Sequence, residues 1–187
     1  MKKILLIIVL VLCIFQMVVL ATAIDIGTEA IVRNSNVDAN RTYIAIGNPA
    51  NESGKITSVE IYTWTGQSLV NCEVATFYGS GVVYSTRDTE FIGAVAAGAK
   101  RTFTVDLDVE AGDLIGIFFT DGAVYKTEGG SGMAGIYYYT ADYIPCTNET
   151  FVLIGAGSQE MSLYGTGEAE APPPPVEVNV INMGINF

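Results

Sequence analysis

The sequence predicts an all-β domain, a single antiparallel sandwich of jelly-roll type. Three observations lead there. Apolar residues recur with a period of two in several segments. Turn signals of Gly, Asn and Asp return roughly every 8–12 residues, the spacing of a sandwich or barrel. No segment shows a convincing helical period of apolar residues.

The chain opens on a leader. Lys2 and Lys3 form a positive start, an apolar run follows from Ile4 to Leu20 broken only by Gln16, and Ala21-Thr22-Ala23 is a small-x-small cleavage signature. Residues 1–23 read as a signal peptide, so the expected mature chain begins at Ile24 and works outside the cytoplasm, secreted or at a cell surface. The alternative is an uncleaved anchor, since a run of about 17 residues is the short end of a spanning helix. Once the leader is cleaved, no stable membrane span is expected.

The sandwich is expected over 24–167. Lys55 to Trp64 sets Val59, Ile61 and Thr63 on one face against Glu60 and Tyr62 on the other. Lys100 to Val109 alternates cleanly, Phe103, Val105 and Leu107 inward and Thr102, Thr104, Asp106 and Asp108 outward, as in a strand with one wet face. Leu114 to Phe119 is a continuous apolar run suited to a central strand covered on both faces. Further strands are expected near 29–34, 41–47, 70–78, 81–85, 89–95, 123–127, 133–139, 150–154 and 159–164. Residues 168–175 then form a linker whose prolines, Pro172 to Pro175, span roughly 12 Å as polyproline II. The tail 176–187 is strand-like. Val176, Val178 and Val180 alternate with polar residues and, after a slip at Ile181, so do Met183, Ile185 and Phe187.

Three segments, Ser85-Thr-Arg-Asp-Thr-Glu-Phe-Ile-Gly93, Ala111-Gly-Asp-Leu-Ile-Gly-Ile-Phe-Phe119 and Ser162-Leu-Tyr-Gly-Thr-Gly167, carry a resemblance. Over about 25–167 the chain resembles an uncharacterised group of exported or virion-like β-sandwich domains. The middle segment is also similar to strands of jelly-roll lectins and carbohydrate-binding modules. The resemblance implies the fold and assigns no activity.

Composition narrows the function. Without Lys2 and Lys3, seven basic residues stand against twenty acidic ones, a net charge of −13. Such a surface repels phosphate backbones and anionic lipid, so nucleic acid is not an expected partner. The chain contains no histidine, the commonest general base and metal ligand. No nucleophile elbow or P-loop is present, and Gly129-Gly-Ser-Gly132 lies between expected strands, not before a helix. The chain is therefore not expected to be an enzyme. A glycoside hydrolase using two carboxylates is the one catalytic alternative.

Four sets of residues carry the remaining expectations. In an oxidising compartment Cys72 and Cys146 form a disulfide, closing a loop of about 73 residues worth about 4 kcal/mol in the chain-entropy model, the alternative being two buried thiols. Asn40, Asn51 and Asn148 head glycosylation sequons whose use depends on the host. Asp106, Asp108 and Asp113 are hard oxygen donors near a turn, candidates for Ca2+, or else a solvated strand face. Tyr62, Trp64, Tyr137, Tyr138, Tyr139 and Tyr143 are candidate platforms on which sugar rings stack, Tyr137 and Tyr139 sharing one strand face and Tyr138 the other, or else strand-forming aromatics with one face in the core.

The leading expectation is a structural or adhesive subunit. It would self-associate, or join another surface protein, by lending its tail strand (Val176, Val178, Val180, Met183, Ile185, Phe187) to a partner sheet, the alternative being a tail that folds back as a last strand of its own sheet or is disordered. The alternative is a secreted glycan-binding module, with Ca2+ as a supporting ion.

Overall fold

The computed structural model describes residues 22–170, and these form fourteen strands with no helix among them. The leader and the tail lie outside the described residues, apart from Thr22 and Ala23. The strands are β1 (Ala23–Thr28), β2 (Ser35–Asp38), β3 (Thr42–Ala45), β4 (Gly54–Tyr62), β5 (Leu69–Ser80), β6 (Val83–Val95) and β7 (Lys100–Val109). They continue with β8 (Leu114–Phe118), β9 (Ala123–Thr127), β10 (Ile136–Tyr139), β11 (Glu149–Thr150), β12 (Val152–Ile154), β13 (Glu160–Met161) and β14 (Leu163–Ala169).

A four-stranded sheet runs β1-β14-β4-β7, and a seven-stranded sheet runs β11-β6-β5-β8-β3-β10-β12. Every pairing is antiparallel. With β1, β3, β4, β5, β6, β7, β8 and β14 taken as a framework of eight, the first sheet holds the first, eighth, third and sixth strands. The second holds the second, seventh, fourth and fifth. That order is the two interlocked Greek keys of a jelly roll. The other six strands are insertions. Three of them, β13-β9-β2, make a small third sheet.

The apolar pattern explains the layers. Ile56, Val59 and Ile61 of β4 and Leu107 of β7 are fully buried against Ile115 and Ile117 of β8, together with Ile24, Ile26 and Leu163. Leu114 and Phe118 of β8 point the other way, into a second core with Ile44, Ala75 and Phe77. That core is covered by Tyr84, Tyr137, Ile144, Cys146 and Phe151. The seven-stranded sheet is thus buried on both faces, which is why β8 reads as an unbroken apolar run. Gly116 lies at its centre because a Cβ there would come within 2.5 Å of the Phe77 ring and 2.6 Å of the Tyr43 carbonyl oxygen.

Residues 149–154 close this sheet on itself. β11 pairs with β6, while β12, one residue later, pairs with β10 at the opposite margin. The Phe151 N–H donates to the Val82 carbonyl at 2.8 Å and continues the β11 contact.

The expectations at Lys100–Val109 and 123–127 coincide with β7 and β9, and the inward and outward faces read for β4 and β7 are those observed. Three expectations need correction. The first strand is β1, not 29–34, because the short alternation of Ile24 and Ile26 lies against the leader. Residues 81–85 and 89–95 are joined in one strand, β6, since Arg87-Asp88 continues the ladder across a register shift instead of turning. The framework also extends past 167, through Ala169 of β14.

The expected disulfide is not formed. Cys72 and Cys146 are free, buried thiols. Cys72 on β5 faces the inter-sheet core, whereas Cys146 lies in the core on the opposite face of the same sheet. Cys72 sits opposite Gly93 of β6, while the Cys146 carbonyl accepts from the N–H of Thr86. Seven residues of extended strand separate those positions, about 20 Å, against the ~7 Å Cα limit for a bridge. Burial pushes both thiols up, away from the reactive thiolate.

Candidate functional site

The expected aromatic platform is divided by the fold. Tyr62 and Trp64 come together around Tyr125 of β9, a residue that no sequence signal singles out because the alternation around it is short. Tyr62 meets Tyr125 edge-on at 5.3 Å between centroids, and Trp64 lies 4.7 Å away, tilted by 51°. The Tyr125 and Thr65 hydroxyls are hydrogen-bonded at 2.8 Å. Rings tilted against one another in this way offer no flat shelf.

The other four tyrosines gather on and after β10. Tyr137 and Tyr139 point into the second core and Tyr138 to the opposite face, as strand alternation requires. Tyr137 is buried beside Tyr84 and donates its hydroxyl to the Gly81 carbonyl, so it serves packing. Tyr139 and Tyr143 lie 3.9 Å apart, with the Tyr143 hydroxyl donating to that of Tyr139 at 3.2 Å. That bond and the surrounding burial push Tyr143 up to about 12. Tyr138 is half-buried, with the Arg41 guanidinium 5.5 Å from its ring centre. Tyr138, Tyr139, Thr140 and Val152 line an open groove of about 330 Å³.

The three candidate calcium ligands are engaged elsewhere. Asp106 and Asp108 stand on the outer face of β7, where the Lys55 ammonium bridges them at 2.8 Å to each. Its hydrogen bonds to Asp106 and then Asp108 hold Lys55 well above its ordinary value. Asp113 turns inward, 4% exposed. It receives the Nε of Arg87, a second Arg87 nitrogen at 3.1 Å and the backbone N–H of Glu110 at 2.9 Å. The Asp113 hydrogen bond in turn raises Arg87 above its usual value. Among the described residues no three acidic, cysteine or histidine side chains converge as a metal site.

The sequon asparagines are all exposed. Asn40 and Asn148 occupy left-handed turn positions with φ of 59° and 54°. Asn51 has a structural task. Its carboxamide oxygen accepts from the Asp25 N–H at 3.0 Å and its nitrogen donates to the Ala23 carbonyl at 3.1 Å. With the Gly27 N–H donating to the Asn48 carbonyl at 2.8 Å, these bonds cover the outer edge of β1.

The opposite edge of that sheet is different. Among the described residues β7 pairs only with β4. Its far end is tied down, since the Asp108 N–H donates to the Asp88 carboxylate at 2.8 Å and the Asp108 carbonyl accepts from Thr76 at 2.7 Å. Residues 100–107 have no backbone partner on that side among the described residues. The turn 96–99 leads into this edge from β6, whose outer side is engaged, among the described residues, only from Val83 to Asp88. On β6, opposite Glu73, Phe91 is 63% exposed, while Ile92 of β6 and Phe103 of β7 are half-buried against the margin of the inter-sheet core. No protein-family model and no curated protein matches the chain.

Proposed function

We propose that the protein is a non-enzymatic structural or adhesive subunit, working outside the cytoplasm, which assembles by adding its terminal strand 176–187 to the open sheet of a neighbour. The observation that carries this reading is the stretch of β7, 100–107, that has no partner on its outer side among the described residues, with the apolar Ile92 and Phe103 near it. An unpaired strand edge is a template for another strand. Main-chain hydrogen bonds there supply affinity, and alternate side chains supply specificity. A head-to-tail contact of this kind does not close, so copies would string into filaments. The leader-like N-terminus and the acidic composition suit an exported, soluble subunit. Light scattering on 24–187 and 24–171 tests the reading. Oligomers are expected from the first and monomers from the second, and oligomers that survive tail deletion would refute it.

The groove beside Tyr138 favours a second reading, a glycan-binding module. A glycan array with the Tyr138→Ala variant as control tests it. Binding lost on that substitution supports the module, and an array with no binding removes it.

A further inference from the structure

We infer that the receiving edge is the outer side of β7 over residues 100–107, and that the strand it receives is 176–187 of a second copy. The inference rests on the strand-donation reading above and goes beyond it by choosing among the edges.

The β1 edge is already covered by Asn48 and Asn51. The β12 and β11 margins are used in closing the seven-stranded sheet. Among the described residues β6 is free beyond Asp88, but its ladder with β5 shifts register three times, and residues from Thr86 to Glu90 are half-exposed without alternation. A regular strand finds no even template there.

β7 offers one. Phe103, Val105 and Leu107 face inward, and Thr102, Thr104 and Asp106 face outward. The tail carries the same period, Val176, Val178 and Val180 against Glu177 and Asn179. Its slip at Ile181 adds one residue, after which Met183, Ile185 and Phe187 resume the same face, as a bulge would allow. One face of an added strand would therefore lie over the half-buried Phe103 and the margin of the core, and the other would stay wet.

The linker argues for a second copy. β14 ends at Ala169, opposite Gly54, which in turn lies opposite Val109 at the end of β7. To reach its own β7 edge the chain would have to cross about three strand spacings, roughly 14 Å, and reverse direction. In Glu168-Ala-Glu-Ala-Pro-Pro-Pro-Pro175 proline is the one turn-forming residue type, and four in sequence favour extended polyproline II over a reversal. A polyproline II spacer of that composition would carry a following strand away from its own domain.

Hydrogen exchange on 24–187 and 24–171 reads the edge directly. Amides within 100–107 are expected to exchange about tenfold or more slowly when the tail is present. In parallel, a chain carrying Thr104→Cys is mixed under oxidising conditions with one carrying Asn179→Cys or Asn182→Cys, and a cross-linked heterodimer is expected. Glu90→Cys on β6 and Asp25→Cys on β1 serve as the competing edges. Protection or cross-linking at β6 or β1 instead overturns the assignment to β7, and so does an absence of both at β7. If tail deletion still abolishes oligomers in those cases, the donation reading stands and only the edge is wrong. Protection at β7 in a chain that stays monomeric at all concentrations overturns the second copy, and the donation reading with it.

Discussion

Replacing Arg87 with alanine should be among the most damaging single substitutions outside the apolar core. The guanidinium makes two bonds to Asp113, two to Glu110, and lies 4.9 Å from the centre of the Tyr78 ring. Its side chain is 22% exposed and that of Asp113 5%. Removing the cation leaves a nearly dry carboxylate with, among the described residues, only the Glu110 N–H as partner. Stranding one member of a buried pair costs about 3–5 kcal/mol. The partial exposure of Arg87 places this case at the low end, about 3 kcal/mol, a large share of the roughly 5–15 kcal/mol that holds a domain together. Equilibrium unfolding in guanidinium chloride, with the slope held constant between variants, measures it. Arg87→Lys should recover part of the loss, because an ammonium replaces the charge and not the fork. A loss below about 1 kcal/mol for Arg87→Ala would mean that the pair behaves as a solvated surface bridge, and that Asp113 is not left stranded when its cation is removed.

Gly116→Ala should destabilise by about 1–3 kcal/mol, since the new methyl meets a carbonyl that cannot move as well as a ring that can; a thermal midpoint equal to wild type would contradict the packing. Burial, with the nearby Asp142 charge, raises the Glu73 carboxyl. Its folded-state value therefore lies above its unfolded one, and ionised Glu73 costs stability at neutral pH. Glu73→Gln should raise the melting temperature at pH 7, with the gain shrinking as pH falls through the raised value toward 4, and a gain independent of pH would refute the cause. Protein 24–187 purified without reductant should show two alkylatable thiols after denaturation and no change in melting temperature with dithiothreitol. A bridged Cys72–Cys146 peptide in the mass spectrum would overturn their separation. Asn51→Ala should cost about 1 kcal/mol, from two hydrogen bonds lost at an exposed edge, and should speed exchange at the Asp25 amide.

The sandwich was legible because its signals are local. β7 alternates within ten residues, and β8 shows its double burial as an uninterrupted run. What depends on distant partners was not legible. Cys72 and Cys146 have the composition of a bridge, and only the topology shows them on opposite faces of one sheet. Asp106, Asp108 and Asp113 are close in sequence, yet the β7–β8 turn sends the first two to Lys55 and the third to Arg87. Tyr137 to Tyr139 had the correct alternation, but the segment that buries Tyr137 comes from the β5–β6 tip at Gly81 and Tyr84. Tyr125 and Asn51 could not be recognised as partners of Trp64 and β1, because nothing near them in sequence announces a neighbour so far along the chain.

The pattern of edge protection bears on function. An antiparallel sandwich that leaves edges open invites uncontrolled pairing, and natural sheets cover or charge them. In this domain the β1 edge is covered by a loop and an asparagine side chain, and an inserted segment closes the larger sheet. Even the end of β7 is covered at Asp108, by Asp88 and Thr76. The protection stops where Phe103 reaches the surface, and Phe91 projects from β6, the preceding strand in the other sheet. Lys100 and Arg101 flank that opening as charges, and charges on an edge oppose indiscriminate pairing. Among the described residues β6 also stays open beyond Asp88, but without an alternating face, so β7, guarded by two cations, is the margin with the features of a site for one particular strand. If that is so, Phe91→Lys should leave the fold intact, because the ring is already largely in water, yet weaken assembly of 24–187. Self-association undiminished at equal concentration, measured by sedimentation velocity, would mean that the exposed ring takes no part in holding the incoming strand.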